Sequence, residues 1–533
     1  LPIYPSTAEK SLIISGNAQQ GWNKNLTKLV EDNMHIDSAT WDLSISRIPH
    51  LESFSQLDSL IRYPYGCLEQ SISSSLPLLY VGNFYHPDNS QSYHESHPKI
   101  PELVEAGIAR VLGMQNYNGG FSYWPGSRNS ELWASGYAVY FLQEAMEAGY
   151  NIPKESLDSA LDFLENRVRQ NRSYGGVSQE GQKPLPLFVL ARSGRAVSSS
   201  IQQLFDNKKF RENAKREDKF LLAAAASILK QKGIYNQWLS TDSWRPVNME
   251  EKSEYYGRFW SPMRSLGLRL SVADILWPSH SQLQGLTAEV ASHLARKDTF
   301  YSTQDLAWTL SGLGRRLRHL KDLDLSAVKV NFNSKDIAPS NSSPYFQNYR
   351  GDLGQQKAIL KLDHDIASTK TPHLLLKLRG FSKNQKLPPA KGALRVSRRY
   401  LNSQGKEVSL NQLKAGELIV AEVTLQNTSS ETVNNFALVD RIASAFEIEN
   451  PNLGRGRKLG WMPSKTLIPE YVDRRDDRVQ LFGKIARNKT LSYYYAIRVA
   501  HSGQFNIPPA SVEEMYQPEN KHFAPSKKVS ISR

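Results

Sequence analysis

The chain has 533 residues, 40% of them hydrophobic and 22% charged, and its formal net charge is +14. This length exceeds what one hydrophobic core organises and predicts about three or four domains, while the composition excludes a chain that is disordered throughout. The basic residues are dispersed and are not interleaved with aromatic side chains, so we expect no nucleic-acid partner. No apolar run approaches the roughly 18 residues that a membrane-spanning helix needs.

The first 50 residues predict the beginning of a β domain. Trp41, Leu43 and Ile45 alternate with polar residues, which is the period of a strand with one buried face. Residue 1 is a leucine, so we expect the natural start of the protein, and any export signal or lipid anchor, to lie upstream.

The next feature is the only cysteine of the chain, Cys67, which excludes an internal disulfide. A turn containing Pro64 and Gly66 precedes it and a run without helix breakers follows. Cys67 is therefore predicted near a helix start, with Gln70 one turn further along on nearly the same face. A thiolate is favoured at such a position, and its attack on the Gln70 carboxamide would expel ammonia and form an internal thioester. The alternative is an inert, buried cysteine.

From about residue 51 to residue 320 the sequence pattern is helical. Apolar residues recur at spacings of three and four in serial segments joined by Gly-rich turns, which predicts an α/α barrel or solenoid. The turn at 115–126 carries several aromatic residues, which we interpret as core residues rather than as a ligand site. The clearest predicted helices are 101–112, 137–148, 156–168, 219–231 and 303–317.

Three histidines in this region, His86, His94 and His97, are interpreted as part of a solvated loop. The spacing from His94 to His97 is one residue short of the helical zinc motif, and Pro98 disfavours continuation of a helix. We therefore expect neither a metal ion nor a cofactor.

After residue 320 short strands replace the helices. Runs at 327–332, 357–362 and 373–378 are separated by clusters of Pro, Asn and Ser, which is typical of a β-sandwich. Further strands are predicted at 418–425 and 491–499, beyond a Pro- and Gly-containing hinge at 388–392.

The motif at 64–70, Pro-Tyr-Gly-Cys-Leu-Glu-Gln, resembles the thioester motif of the α2-macroglobulin and complement superfamily. Leu68 and the preceding Tyr63 are similar to the bacterial members. The turn at 115–126 resembles the repeat turn of α/α toroids. The resemblance implies a multidomain α+β fold, in which an α/α toroid thioester domain is inserted in a CUB-like β-sandwich. Its implied domains are residues 1–50 and 321–390 for the CUB-like sandwich, 51–320 for the toroid and 391–533 for a macroglobulin-like β-sandwich.

The same resemblance implies a protease inhibitor with a single-use thioester rather than an enzyme. In the family, Cys67 and Gln70 would correspond to the thioester pair, which captures lysine amines of a protease that has cut a bait region. Some superfamily members use a histidine for transfer to hydroxyls, but this chain has none between His97 and His280, so we expect amines to be preferred. The bait region and the upstream domains are not recognised in this sequence.

Shielding of the thioester from water is implied for four residues. Tyr63 and Tyr65 adjoin the motif, and Met515 and Tyr516 lie in a segment at 513–519 that resembles the C-terminal loop of the family. Family members reside in the periplasm or cell envelope, often with a lipid anchor, and work with cell-wall synthases of the penicillin-binding class. The implied role is protection of the bacterial envelope.

Two alternatives remain open. In the first, Cys67 and Gln70 never condense and the chain is a structural or interaction module. In the second, the chain is an α/α-toroid enzyme that acts on an isoprenoid or a glycan, which would need a metal site or a carboxylate cluster that the sequence does not display.

Overall fold

A computed structural model gives the fold of the chain. It describes residues 9–17, 22–32, 34–46, 57–61, 66–81, 100–170, 179–239, 241–245, 248–249, 251, 253, 258–294, 301–317, 328–342, 346–354, 358–364, 373–383, 389–449 and 466–533. Within these ranges no helix has both the length and the apolar character needed to cross a bilayer. The described residues form two compact units, one of residues 9–294 and 303–383 and one of residues 301–302 and 389–533.

The first unit contains a sandwich of two antiparallel sheets. One sheet has the strand order β1-β9-β3-β7-β6 and the other has the order β2-β8-β4-β5. A short helix, α1 (Leu26–Val30), follows β2. The strands are β1 (Glu9–Asn17), β2 (Asn23–Asn25), β3 (Thr40–Ser46), β4 (Val328–Phe332), β5 (Lys335–Ile337), β6 (Asn341–Ser342), β7 (Phe346–Asp352), β8 (Ile359–His364) and β9 (His373–Phe381).

Alternating apolar residues fix the register of this sandwich. Trp41, Leu43 and Ile45 are buried, as the sequence predicts, and they pair with alternate leucines of β9. Because side chains alternate between the faces of a strand, all of these side chains enter the same core.

A helical domain is inserted between β3 and β4 of the sandwich. Its helices are α2 (Leu57–Ile61), α3 (Leu68–Ser75), α4 (Leu78–Val81), α5 (Ile100–Leu112), α6 (Leu132–Glu147), α7 (Lys154–Arg169), α8 (Pro184–Arg192), α9 (Ser198–Asp206), α10 (Lys208–Asn213), α11 (Arg216–Ile228), α12 (Lys232–Trp238), α13 (Thr241–Trp244), α14 (Pro262–Leu276), α15 (Gln282–Leu294) and α16 (Thr303–Leu317). All five predicted helices are confirmed, with ends that differ by up to five residues.

Six of these helices form a closed inner ring. Each packs against the next in the order α3, α6, α8, α11, α14, α16, and α16 returns to α3. Helices such as α6 and α11 are buried on nearly every side, and most of their residues are small or apolar. Amphipathic helices such as α5 and α7 pack outside the ring. This arrangement is an α/α toroid, and α3 places residues 67–70 at its inner ring.

The second unit is a β-sandwich around one core. Its strand orders are β10-β12-β17-β14, β11-β21-β18 and β15-β16-β13-β19-β20, and only the short β11–β21 pairing is parallel among those described. The strands are β10 (Leu394–Leu401), β11 (Leu413–Lys414), β12 (Leu418–Asn427), β13 (Val433–Arg441), β14 (Phe446–Ile448), β15 (Tyr471–Arg475), β16 (Arg478–Ile485), β17 (Thr490–Val499), β18 (Gly503–Ile507), β19 (Ser511–Glu514), β20 (Gln517–Phe523) and β21 (Lys527–Ser532).

Candidate functional site

Cys67 and Gln70 cap the first turn of α3 reciprocally. The Gln70 backbone N–H lies 3.5 Å from Cys67 Sγ, which accepts its hydrogen bond, and the Cys67 backbone N–H donates to Gln70 Oε1 at 3.4 Å. The Gln70 side chain therefore folds back over the helix start toward the cysteine. This is the juxtaposition that the sequence predicts.

Both residues are buried, with Cys67 3% exposed and Gln70 2% exposed. Gln70 Nε2 has no hydrogen-bond partner among the described residues, while Oε1 of the same carboxamide does. A buried amide nitrogen without an acceptor is destabilised by about 1–3 kcal/mol. The nitrogen that would leave as ammonia is thus the poorly stabilised end of the group.

The start of α3 is held by the turn at 115–126. The Leu68 backbone N–H donates to the Tyr123 carbonyl at 2.9 Å, which fixes the residue directly after Cys67. The Tyr123 ring meets the Phe259 ring edge-on at a centroid distance of 5.8 Å, and the Trp133 ring also packs against Phe259 at 5.2 Å. The residue whose carbonyl positions the helix is therefore part of an aromatic cluster of the helical domain.

Glu69 connects the motif to α16, a role that the sequence analysis missed. Its carboxylate is 1% exposed and accepts hydrogen bonds from Thr303 Oγ1 at 2.9 and 3.0 Å and from Gln304 Nε2 at 2.8 Å. Ser73 Oγ, one turn along α3, donates at 2.5 Å. We call Glu69, Ser73, Thr303 and Gln304 the Glu69 cluster. The cluster links α3, which begins directly after Cys67, to α16.

Further polar contacts fix the Glu69 cluster within the ring. Gln304 Oε1 accepts from Arg264 Nε at 3.0 Å and from Trp308 Nε1 at 3.1 Å, and Arg264 also pairs with buried Glu217. The Tyr137 hydroxyl oxygen lies 3.2 Å from Ser73 Oγ. Burial, and then the Glu69 carboxylate, raise the pKa of Tyr137 well above its usual range, so its hydroxyl remains protonated.

The structure describes two of the four predicted shielding residues. Tyr63 and Tyr65 lie outside the described residues, as do His86, His94 and His97. Met515 and Tyr516 form the turn between β19 and β20 and are buried, at 4% and 5% exposed, and the Met515 N–H donates to the Asn435 carbonyl.

Titratable side chains elsewhere in the described helical domain make their own contacts. The His280 ring stacks on Trp244 at a centroid distance of 4.1 Å, and His293 Nε2 lies 2.9 Å from Glu289 Oε1. In the described part of the chain no group of three His, Cys, Asp or Glu side chains is arranged to hold a metal ion.

Comparisons with known proteins agree with this architecture. A family model described as the bacterial α2-macroglobulin MG10 domain matches residues 394–519, and one described as the A-macroglobulin TED domain matches residues 43–184. The α2-macroglobulin of Rickettsia conorii is 23% identical over 513 residues, and that of Escherichia coli is 25% identical over 506 residues. These alignments cover 93% and 90% of this chain.

The chain resembles the bacterial α2-macroglobulins. The chain spans 26% and 29% of the length of these two relatives, so it corresponds to a minor part of each.

Solved structures of the α2-macroglobulin family share the fold. Native Escherichia coli α2-macroglobulin, from domain MG7 to the C-terminus, has a TM-score of 0.77 at 20% identity, and the match covers 99% of this chain and 83% of that one. Salmonella α2-macroglobulin reacted with methylamine has a TM-score of 0.78 at 22% identity, over 99% of this chain and 34% of that one. The inserted toroid and the C-terminal macroglobulin sandwich are therefore confirmed as the fold class.

Proposed function

We propose that Cys67 and Gln70 form an internal thioester that captures proteases covalently. The Cys67 sulfur attacks the Gln70 carboxamide carbon, a carbon–sulfur bond forms, and the carbon–nitrogen bond breaks. The thiol proton leaves with the amide nitrogen as ammonia, so the step needs no oxidant or further reactant. The reciprocal capping of residues 67 and 70 at a buried helix start is the observation that carries this proposal.

Three features support condensation at this position. The N-terminus of α3 favours a negatively charged sulfur, the leaving nitrogen has no acceptor among the described residues, and the Glu69 cluster holds the helix in place. A similar protein, Salmonella α2-macroglobulin, has been studied after reaction with methylamine, the reagent expected to open such a bond.

Capture of a protease follows from the chemistry of the thioester. A lysine amine of the protease attacks the acyl carbon of residue 70, an amide bond forms, and the Cys67 thiol is released. The reaction consumes the thioester, so each molecule inhibits once and does not turn over. We expect amines to be preferred over hydroxyls, because the described histidines of the helical domain are His280 and His293, which contact Trp244 and Glu289.

Methylamine labelling tests the proposal. The native chain is expected to incorporate one methylamine at residue 70 and to expose one equivalent of titratable thiol in the same time course. Gln70→Glu and Cys67→Ser keep the size of each side chain and are expected to incorporate none. Absence of labelling in native, folded protein, with the thiol titratable from the start, would contradict the proposal and favour a structural or interaction module.

We further propose that Tyr63, Tyr65, Met515 and Tyr516 shield the thioester from water. The Met515→Ala/Tyr516→Ala double variant is expected to lose its thioester faster in buffer without amine, because hydrolysis is limited by the access of water. Exposed Ile468, 84% accessible in the same unit, provides the control Ile468→Ala. Equal hydrolysis rates in the double variant and the native chain would dismiss these two residues as shields.

The cellular setting is also a proposal. We infer that the protein acts in the periplasm or cell envelope, held by a lipid anchor upstream, and protects the envelope from proteases. A penicillin-binding cell-wall synthase is the proposed partner. Fractionation of cells that produce the full-length protein, followed by crosslinking to such a synthase, tests both statements, and recovery in the cytoplasm would contradict them.

A further inference from the structure

The turn at 115–126 was interpreted from the sequence as a set of core aromatic residues, and this is confirmed for Phe121 but wrong for Tyr117. Phe121 is fully buried, whereas Tyr117 is 95% exposed. An isolated exposed aromatic residue is common on protein surfaces, so exposure alone indicates nothing. Tyr117, however, stands at the wall of a cavity of about 420 Å³.

The turn that carries Tyr117 is fixed against α7. Gln115 Nε2 donates to the Ser156 carbonyl at 2.8 Å and to the Gly119 carbonyl at 3.0 Å. Gly119 has a φ of +84°, and a Cβ there would lie 2.1 Å from the Ser159 carbonyl oxygen. The backbone of the turn therefore cannot approach α7 more closely, and this contact fixes the position of Tyr117 relative to the helix.

One face of α7 forms the other side of the cavity. Phe163 lies there with 8% of its surface exposed, and Asn166 follows one turn later on the helix with an exposed amide. Gln170, the extended residue directly after the end of α7, also lines the cavity and is exposed. Neither amide has a hydrogen-bond partner within the described part of the chain. Planar amides that both donate and accept suit a ligand with paired hydroxyl groups.

The cavity lining contains one acidic and one basic side chain, Asp162 and Arg167. Asp162 is paired with Arg195 at 2.6 Å, and the Arg167 guanidinium lies 5.9 Å from the Phe163 ring centroid. The lining therefore offers no cluster of cationic side chains of the kind that binds a phosphate or a nucleotide.

We propose that this cavity, between the 116–120 turn and α7, binds a neutral saccharide, with a pyranose ring stacked on Tyr117. Its volume is within the range of roughly 300–1,000 Å³ that small-molecule sites occupy. The aromatic ring contacts the apolar face of the sugar, while the amides of Asn166 and Gln170 bond its hydroxyls. The site is separate from residues 67–70 and independent of thioester formation.

Saturation-transfer NMR with neutral trisaccharides tests the proposal on the full chain. Maltotriose, cellotriose and N,N′,N″-triacetylchitotriose are used as probes at millimolar concentration. At least one is expected to bind, Tyr117→Ala to weaken that binding about tenfold through loss of the aromatic contact, and Tyr117→Phe to retain it because the ring remains.

Met146→Ala removes another half-exposed apolar side chain of the same domain and is expected to leave binding unchanged. Because Tyr117 is exposed, its replacement is not expected to disturb folding. Failure of all three trisaccharides to bind overturns the proposal. Binding that is equally strong in the native chain and in Tyr117→Ala also overturns it, since the sugar would then occupy another surface.

Discussion

The Gln70 carboxamide places its two polar atoms in different surroundings. Oε1 accepts a hydrogen bond from the Cys67 backbone, whereas Nε2 is buried without an acceptor among the described residues. Before condensation the nitrogen carries a desolvation cost of about 1–3 kcal/mol, and departure as ammonia removes that cost entirely. The local structure therefore favours the same product that the sequence motif predicts.

Glu69→Gln tests the role of the Glu69 cluster at the residue scale. The glutamine side chain has nearly the same shape as glutamate. Its NH₂ group, however, would face the hydrogen-bond donors of Thr303, Gln304 and Ser73. We expect a loss of about 1–3 kcal/mol in the free energy of unfolding, because a charge-assisted acceptor becomes partly a donor. Urea denaturation measures this loss, and methylamine labelling measures how many molecules contain the thioester.

Glu105→Gln, at an exposed position beyond the first turn of α5, is the matched control and is expected to change neither quantity. If Glu69→Gln is as stable as the native chain and labels fully, the carboxylate neither stabilises the domain nor positions α3.

At the scale of secondary structure, the packing of α3 depends on Gly107 of α5. A Cβ at this glycine would lie 2.0 Å from Ser75 Oγ and 2.8 Å from Ser75 Cβ. Contact this close is possible only because both residues are small. The outer helix α5 therefore determines how closely α3, and with it Cys67, can approach.

Gly107→Ala is expected to destabilise the helical domain by about 1–3 kcal/mol, because the extra methyl group forces the two helices apart. Thermal unfolding measures the loss, and Gly107→Ala/Ser75→Gly is expected to recover part of it. Gly233→Ala, in α12 with open space around its Cβ position, is expected to be neutral or slightly stabilising. Equal effects of the two alanine substitutions would contradict this account of α3–α5 packing.

The sequence predicted those helices whose apolar residues follow a regular period. The segment 303–317 coincides with α16 (Thr303–Leu317), and Cys67 stands at the helix start as expected. Helix α14 was not predicted, because Arg264 and Arg269 interrupt its pattern although they are 1% and 0% exposed. Buried arginines that bind carbonyl and carboxylate oxygens cannot be distinguished from surface arginines by their spacing.

Only those contacts of the candidate site that join residues close together in the sequence could be predicted. Cys67 and Gln70 are three residues apart, so helical geometry brings them together. Glu69 and Thr303 are 234 residues apart and meet because the inner ring closes at α3 and α16. A local sequence pattern does not predict that the ring closes, so the role of Glu69 became visible only in the structure.

At the scale of the whole molecule, the C-terminal sandwich is stabilised around a buried ion pair. Arg398 pairs with Asp440, which also accepts a hydrogen bond from the Tyr495 hydroxyl at 2.7 Å. The guanidinium additionally donates to the carbonyl of Pro508 at 2.7 Å. Burial raises the pKa of Asp440, and the Arg398 charge opposes that rise.

Arg398→Met is expected to destabilise this sandwich by about 3–5 kcal/mol, because it leaves the Asp440 carboxylate buried without its counter-ion. Adding Asp440→Leu is expected to recover part of the loss, so the double variant should be more stable than the sum of the single losses predicts. Urea denaturation of the four proteins gives the coupling free energy.

The pair Arg498 and Glu449 of the same sandwich provides a surface comparison, since the two side chains are 48% and 38% exposed. Arg498→Met is expected to cost at most about 1 kcal/mol. Strict additivity of the Arg398 and Asp440 losses would show that the two side chains do not interact.

The mass of the untreated, folded chain tests the central claim most directly. An internal thioester between Cys67 and Gln70 predicts an intact mass lower than that of the encoded sequence by one ammonia, and Cys67→Ser is expected to show the full encoded mass. If the native chain also retains the full encoded mass and every amide nitrogen, no thioester has formed and the covalent-trap account is contradicted.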